Sequence, residues 1–155
     1  MSKLLAPCRQ FFCDTCGEVI ESPSDGYVEF EKDERHLQHN YNIVHNDSRC
    51  LKDLNSSYEL ERLLGRQGIG LLSSWIHVGP ITDPIGRERS EYRSVIEFAE
   101  FFKRLQLPYY EQARHYLQRA ASAGYIDGNA TGSHDPQRLE SIATIFLEED
   151  AEDNS

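Results

Sequence analysis

Apolar and polar positions alternate in the first third of the chain, and this spacing is typical of half-buried strands. Residues 27–31 alternate in this way. Residues 41–45 then place Tyr41, Ile43 and His45 on one face of a returning strand. The amino-terminal part of the sequence therefore predicts a β-hairpin.

After residue 50 the apolar spacing becomes helical. Ser56 followed by Glu59 resembles a capping box, and the leucines behind it share one helical face until Gly65. We expect a short helix there and a second helix over residues 71–77, where apolar residues recur at intervals of three and four.

The strongest helical pattern spans residues 90–105 and has two apolar stripes. Phe98, Phe101 and Leu105 form one of them. A helix that is apolar on two sides is either buried centrally or lies at an interface. We therefore predict that these three residues contribute to association with a protein partner or with a second copy of the chain.

Two further helices are predicted towards the carboxyl end. Pro108 can occupy the first turn of a helix over residues 109–123, with Gly124 just past its end. Asp135 and Pro136 have the types expected at a helix N-cap and first helical position. The inner face of this last helix carries four apolar residues, Leu139, Ile142, Ala143 and Phe146. A hairpin followed by helices predicts an α+β fold.

Composition and charge refine this prediction without changing the fold class. Hydrophobic residues make up 39% and charged residues 27% of the 155 residues, which is ordinary for a globular protein. The net charge of −10 makes the chain a poor general ligand for nucleic-acid phosphates. We expect a β unit over residues 1–50, a helical region over residues 51–147 and a disordered acidic tail over residues 148–155. The absence of an export signal or apolar span predicts a cytoplasmic protein.

The cysteine spacing predicts a metal site. Cys13 and Cys16, followed at once by Gly17, form a knuckle whose two thiolates can reach one ion. His45 and Cys50 have the type and spacing of a second ligand pair. Cysteines in a reducing compartment also favour metal binding over disulfides. Four protein ligands would close the coordination shell, so the predicted Zn²⁺ is structural.

The fourth ligand is less constrained than the knuckle. Cys8 could replace His45 to give a four-cysteine site, and His36, His39 or Asp47 could also substitute. Residues 36–46 contain several histidines and asparagines, and such a cluster is also found in metal-dependent nucleases. A metal-dependent hydrolase or nuclease is therefore a second alternative. The usual motifs of catalytic zinc are missing, which favours a protein that is not an enzyme.

Several segments together resemble a group of small uncharacterised bacterial proteins that have an amino-terminal zinc hairpin and a carboxyl-terminal helical region. The segments are a Phe-x-Cys-x-x-Cys-Gly-Glu opening at residues 11–18, Gly-Tyr-Val-Glu at 26–29, Ile-Val-His at 43–45 and Leu-Pro-Tyr-Tyr-Glu-Gln-Ala-Arg at 107–114. The resemblance covers residues 11–147. It implies the same order of elements and a bacterial context, and it implies no activity.

The sequence thus predicts a non-catalytic, zinc-stabilised protein that serves as a protein-interaction or regulatory module. A nucleic-acid-associated regulator is the first alternative, because residues 87–119 are rich in arginine and tyrosine. In that alternative the acidic tail competes with nucleic acid for the same basic face.

Overall fold

The computed structural model of the protein describes residues 3–77, 90–126 and 134–155. The chain forms two compact units, a sheet unit (Phe11–Gln106) and a terminal unit (Met1–Gln10 with Leu107–Ser155). Helices and antiparallel strands are both present, so the predicted α+β class is confirmed. The expected boundary after residue 50 falls inside the sheet unit. None of the described helices has the length and apolar character that a membrane span requires.

Two antiparallel sheets make up the first part of the sheet unit. Strands β1 (Phe11–Phe12) and β2 (Val19–Ile20) pair with each other. Strand β3 (Gly26–Lys32) pairs on one side with β4 (Gln38–His45) and on the other with β5 (Ser56–Glu59). The predicted hairpin is therefore the β3–β4 pair, and a third strand joins it.

The segment that resembles a capping box is a strand, and the short helix predicted over the following leucines is a 3-10 turn rather than an α-helix. The turn covers Leu60–Leu63, and Glu59 makes no side-chain capping bond. In β5, Tyr58 stacks on Phe30 of β3 with ring centroids 6.1 Å apart, and it also contacts Trp75 at 5.5 Å. These aromatic contacts and the pairing with β3 override the local helical signal.

Two helices complete the sheet unit, α1 (Gly65–Ile76) and α2 (Val95–Gln106). The helix predicted over residues 71–77 is the second half of α1, which begins at the glycine expected to end the preceding helix. At Gly68 the helix lies so close to the 3-10 turn that a Cβ atom would overlap the backbone carbonyl of Leu63. Gly68 therefore permits this close approach.

The predicted interface residues of α2 lie in the core. Phe98, Phe101 and Leu105 are all buried. Phe98 stacks on Tyr92 with centroids 4.5 Å apart, and Phe101 stacks on Tyr41 at 4.4 Å. The interface prediction for these three residues is wrong, because their apolar surface is already covered within the sheet unit.

The terminal unit contains α3 (Tyr110–Ala113), α4 (Leu117–Ser122) and α5 (Pro136–Asp153). The single helix predicted over residues 109–123 is thus two short helices. Between them Tyr116 stacks on Phe146 of α5 with centroids 5.7 Å apart. This packing is compatible with a turn between α3 and α4.

Helix α5 confirms its predicted start and corrects its predicted end. Asp135 is the N-cap, and its carboxylate accepts a hydrogen bond from the Gln137 N–H at 3.4 Å. The helix runs on to Asp153, so the expectation of a disordered tail from residue 148 is wrong. Arg119 forms ion pairs with Glu149 and Asp150, each at 2.7 Å, and these contacts hold the acidic end of α5 against α4.

Candidate metal centre

The structure brings together the four residues that were predicted from the sequence to be metal ligands. One ligand atom from each of Cys13, Cys16, His45 and Cys50 lies within 4.8 Å of the others. The two knuckle cysteines come from the turn between β1 and β2, His45 ends β4, and Cys50 lies in the turn that follows. All four cysteines of the chain are free thiols. The arrangement is a Cys₃His cluster that can hold a metal ion.

Backbone hydrogen bonds form the knuckle between β1 and β2. The Cys13 N–H donates to the Glu18 carbonyl at 2.9 Å, and the Gly17 N–H donates to the Cys13 carbonyl at 2.9 Å. Gly17 has φ +77°, a conformation that favours glycine. The resulting tight turn places the side chains of Cys13 and Cys16 in the same cluster.

His45 has one ring nitrogen at the thiols and the other at a backbone carbonyl. Its Nδ1 lies 3.5 Å from Cys16 Sγ and 3.8 Å from Cys50 Sγ. Its Nε2 lies 3.2 Å from the Val19 carbonyl oxygen. A carbonyl only accepts hydrogen bonds, so we assign the ring proton to Nε2. The lone pair of Nδ1 then faces the cysteines, as metal ligation requires.

Short hydrogen bonds also position the turn that carries Cys50. The Cys50 N–H donates to the Asp47 carbonyl at 2.9 Å, and the Thr15 hydroxyl donates to the Cys50 carbonyl at 2.7 Å. The Asp47 carboxylate accepts bonds from the backbone and guanidinium of Arg49. Contacts from the knuckle and within the turn therefore place the third cysteine.

The thiols of the cluster differ in their pKa values. Burial raises the pKa of Cys13, but backbone N–H groups, led by those of Cys16 and His45, outweigh it and hold the pKa at about 6. Burial and the neighbouring Cys16 and Cys13 thiols raise the pKa of Cys50 to about 12. A nearby divalent cation favours the thiolate form, because it offsets the repulsion between negative sulfur atoms.

The cluster opens to solvent on one side. Cys13 and Cys50 are only 2% and 7% exposed, whereas Cys16 is exposed and His45 is half-buried. A pocket of about 400 Å³ lies at this opening. Its lining consists of Cys16, Glu18, His45, Asp47, Arg49 and Cys50. An ion can therefore reach the ligand atoms without passing through the core.

None of the alternative ligands belongs to the cluster of Cys13, Cys16, His45 and Cys50. Cys8 belongs to the terminal unit, and His36 lies in the turn between β3 and β4. The Nδ1 of His39 is 3.8 Å from the Glu31 carboxylate. The Asp47 carboxylate lines the pocket but is bonded to Arg49. Among the described histidines, the cluster contains His45 alone, so the residues that suggested a nuclease do not converge around it.

Three contributors to the site were not identified in the sequence. Val19 contributes a backbone carbonyl, which a pattern of side chains does not reveal. Asp14, inside the knuckle, accepts a hydrogen bond from the Ile43 N–H at 2.7 Å. It also forms an ion pair with Arg104 at 2.8 Å. A signal for Arg104 exists, because it follows Phe101 by three residues and therefore lies near the apolar stripe of α2.

The arginine-rich segment that suggested nucleic-acid binding does not present all of its arginines to solvent as unpaired cations. Arg87 and Arg89 lie outside the described residues. Arg104 is buried beside Asp14, and Arg119 is paired with two carboxylates of α5. These two cations already have carboxylate partners within the protein.

Comparisons with protein-family models, with curated proteins and with solved structures find no match for this chain. The resemblance to small bacterial zinc-hairpin proteins therefore stays a prediction.

Proposed function

We propose that the chain is a non-catalytic protein in which Cys13, Cys16, His45 and Cys50 bind one structural Zn²⁺. The orientation of His45 is the observation that carries the proposal. Its Nδ1 faces two thiols while the Val19 carbonyl accepts the proton of its Nε2. An imidazole held in this tautomer by a backbone carbonyl is the usual arrangement at a histidine metal ligand.

The composition of the cluster supports zinc as the ion. Three sulfur ligands and one imidazole nitrogen match the common Cys₃His sites of tetrahedral Zn²⁺, and soft thiolates disfavour magnesium and calcium. Four protein ligands leave no coordination position for water or substrate, so the ion stabilises the fold rather than performing chemistry. A hydrolase would require an open position and a general base beside it.

Metal content tests this proposal. Wild-type protein prepared under reducing conditions should contain about one zinc per chain. Cys16→Ser should lose the zinc and the cooperative thermal transition of the sheet unit, since the binding free energy of a structural metal is folding free energy. Cys8→Ser is the matched control and should keep both. A metal-free wild-type protein with a normal transition would contradict the proposal.

We also propose that the protein acts by binding a protein partner, and that its partner surface includes exposed rather than buried residues of α2. Val95 is 62% exposed and Ile96 is 81% exposed. Solvent-exposed apolar side chains are the ones that can contact another protein. Ile96→Asp should therefore weaken association of the full-length protein while leaving the zinc content unchanged. Equal sedimentation and partner binding for the wild type and Ile96→Asp would contradict this placement.

A further inference from the structure

Asp14 connects three parts of the sheet unit through one carboxylate oxygen. Its Oδ2 accepts a hydrogen bond from the Ile43 N–H of β4 at 2.7 Å. The same oxygen lies 2.8 Å from Nη1 of Arg104 on α2. The second guanidinium nitrogen, Nη2, donates to the Phe12 carbonyl at 3.3 Å. Arg104 is only 7% exposed and the Asp14 side chain is 22% exposed, so the guanidinium half of this clamp of Asp14 and Arg104 is shielded from water.

From this geometry we propose that Asp14 and Arg104 are positioning residues for the metal cluster, and that they couple metal binding to the packing of α2. The inference rests on the proposed metal-binding function. It concerns residues that are not ligands themselves.

The clamp sets the separation between two ligand-bearing segments. Asp14 follows Cys13 directly, and Ile43 precedes His45 by two residues in β4. A second hydrogen bond, from the Asp14 N–H to the Ile43 carbonyl at 2.8 Å, joins the same two segments. Because these contacts hold the knuckle beside β4, they reduce the ordering that metal binding must supply.

Arg104 extends this constraint to α2. Its helical neighbours Phe101 and Leu105 are buried in the core, so the guanidinium is fixed by the packing of the helix. A buried guanidinium needs its carboxylate partner, since an unpaired buried charge is costly. An ion that orders the knuckle therefore also stabilises the partner of Arg104. Coupling of this kind is reciprocal, so the packing of α2 should raise the affinity for the metal.

Metal affinity of the full-length protein gives the first test. Competition for Zn²⁺ with a chromophoric chelator would be measured for the wild type, Arg104→Met and Asp14→Asn. We expect the affinity to fall by about 10–100-fold in both variants, as found for residues that orient metal ligands. Arg104→Lys should restore part of the loss, because it keeps the charge but not the forked geometry. Arg66→Met, which removes an exposed cation from α1 of the same unit, should leave the affinity unchanged.

Hydrogen exchange of the zinc-loaded proteins gives the second test. In Arg104→Met the amides of α2 should exchange faster by about tenfold, while those of β3 stay protected. Gly68→Ala, which lowers the stability of the sheet unit without touching the cluster, is the control for a merely structural loss, and its zinc affinity should fall less than that of Arg104→Met. Unchanged zinc affinity in both Arg104→Met and Asp14→Asn, or unchanged α2 exchange, would overturn the coupling.

The outcomes separate this inference from the proposed function. If the wild type binds no zinc, both fall. If the wild type binds one zinc and Arg104→Met binds it as tightly, the metal site stands and only the coupling falls. If Arg104→Met does not fold, Asp14→Asn decides, because the asparagine oxygen can still accept the Ile43 hydrogen bond.

Discussion

His45 has a role that depends on which ring nitrogen carries the proton. The Val19 carbonyl accepts from Nε2, and this hydrogen bond leaves Nδ1 free to ligate. The carbonyl belongs to β2, the strand that leaves the knuckle, so the same short sheet positions two cysteines and orients the histidine. Ligand placement and ligand tautomer thus have a common structural origin.

This arrangement predicts a defined tautomer for His45 in the zinc-loaded protein. Long-range proton–nitrogen correlation spectra should show a protonated Nε2 and a metal-bound Nδ1. His39, whose Nδ1 lies near the Glu31 carboxylate, provides an internal reference. In the zinc-loaded protein its nitrogens should lack the metal-bound signature of His45 Nδ1. A His45 ring protonated at Nδ1 in the loaded protein would contradict the ligand assignment.

At the residue level, the sequence predicts the ligand set better than it predicts the residues that position it. Cys13 and Cys16 are recognisable because a knuckle needs two cysteines at fixed spacing and a glycine with positive φ behind them. Asp14 and Arg104 are 90 positions apart and meet only in the folded chain. Contacts over such separations depend on tertiary structure, so the local spacing of residues in the sequence does not predict them.

Among the elements, α1 and the 3-10 turn before it show how close packing limits substitution. The Gln106 side chain donates to the Leu63 carbonyl at 2.6 Å, and Gly68 of α1 lies directly against the same residue. Gly70 lies two positions further along the helix, and a Cβ atom there would meet no other atom within 4 Å. Two glycines of one helix therefore have different constraints.

The two glycines give a matched pair of alanine substitutions. Gly70→Ala should raise the free energy of unfolding by up to about 1 kcal/mol, because alanine favours the helix over glycine. Gly68→Ala should instead lower it by about 1–3 kcal/mol, since the new methyl group overlaps the backbone of Leu63. Urea denaturation of the two variants would measure both changes. Equal effects of the two substitutions would contradict the described packing of α1.

Element prediction succeeds where local and tertiary preferences agree. The hairpin β3–β4 and the start of α5 at Asp135 carry strand spacing and N-cap chemistry that the fold retains. The segment Ser56–Glu59 has helix-cap residues but becomes a strand, because Tyr58 gains aromatic contacts beside β3. Amphipathic spacing located the buried stripe of α2, but spacing alone does not distinguish a core face from an interface.

At the scale of the whole molecule, the candidate metal ligands found among the described residues lie in one of the two units. All four lie in the sheet unit, whereas the terminal unit has its own core of α3, α4 and α5. A structural metal stabilises the unit that binds it. Chelation should therefore loosen the sheet unit more than the terminal unit.

Limited proteolysis can detect this difference with two exposed arginines. Arg62 lies in the 3-10 turn of the sheet unit, and Arg138 lies in α5 of the terminal unit. Removal of zinc should speed tryptic cleavage after Arg62 much more than cleavage after Arg138, because cleavage follows the population of locally open forms. The fragments would be quantified by mass spectrometry. Equal acceleration at both sites would contradict a metal effect centred on the sheet unit.

The most direct test of the central claim is X-ray absorption at the zinc edge of the purified full-length protein. The account predicts one zinc per chain with three sulfur ligands at about 2.3 Å and one nitrogen ligand at about 2.0 Å. His45→Cys should convert this shell to four sulfur ligands. A shell that contains oxygen from water, or a wild-type shell without the single nitrogen, would contradict a closed site made by Cys13, Cys16, His45 and Cys50.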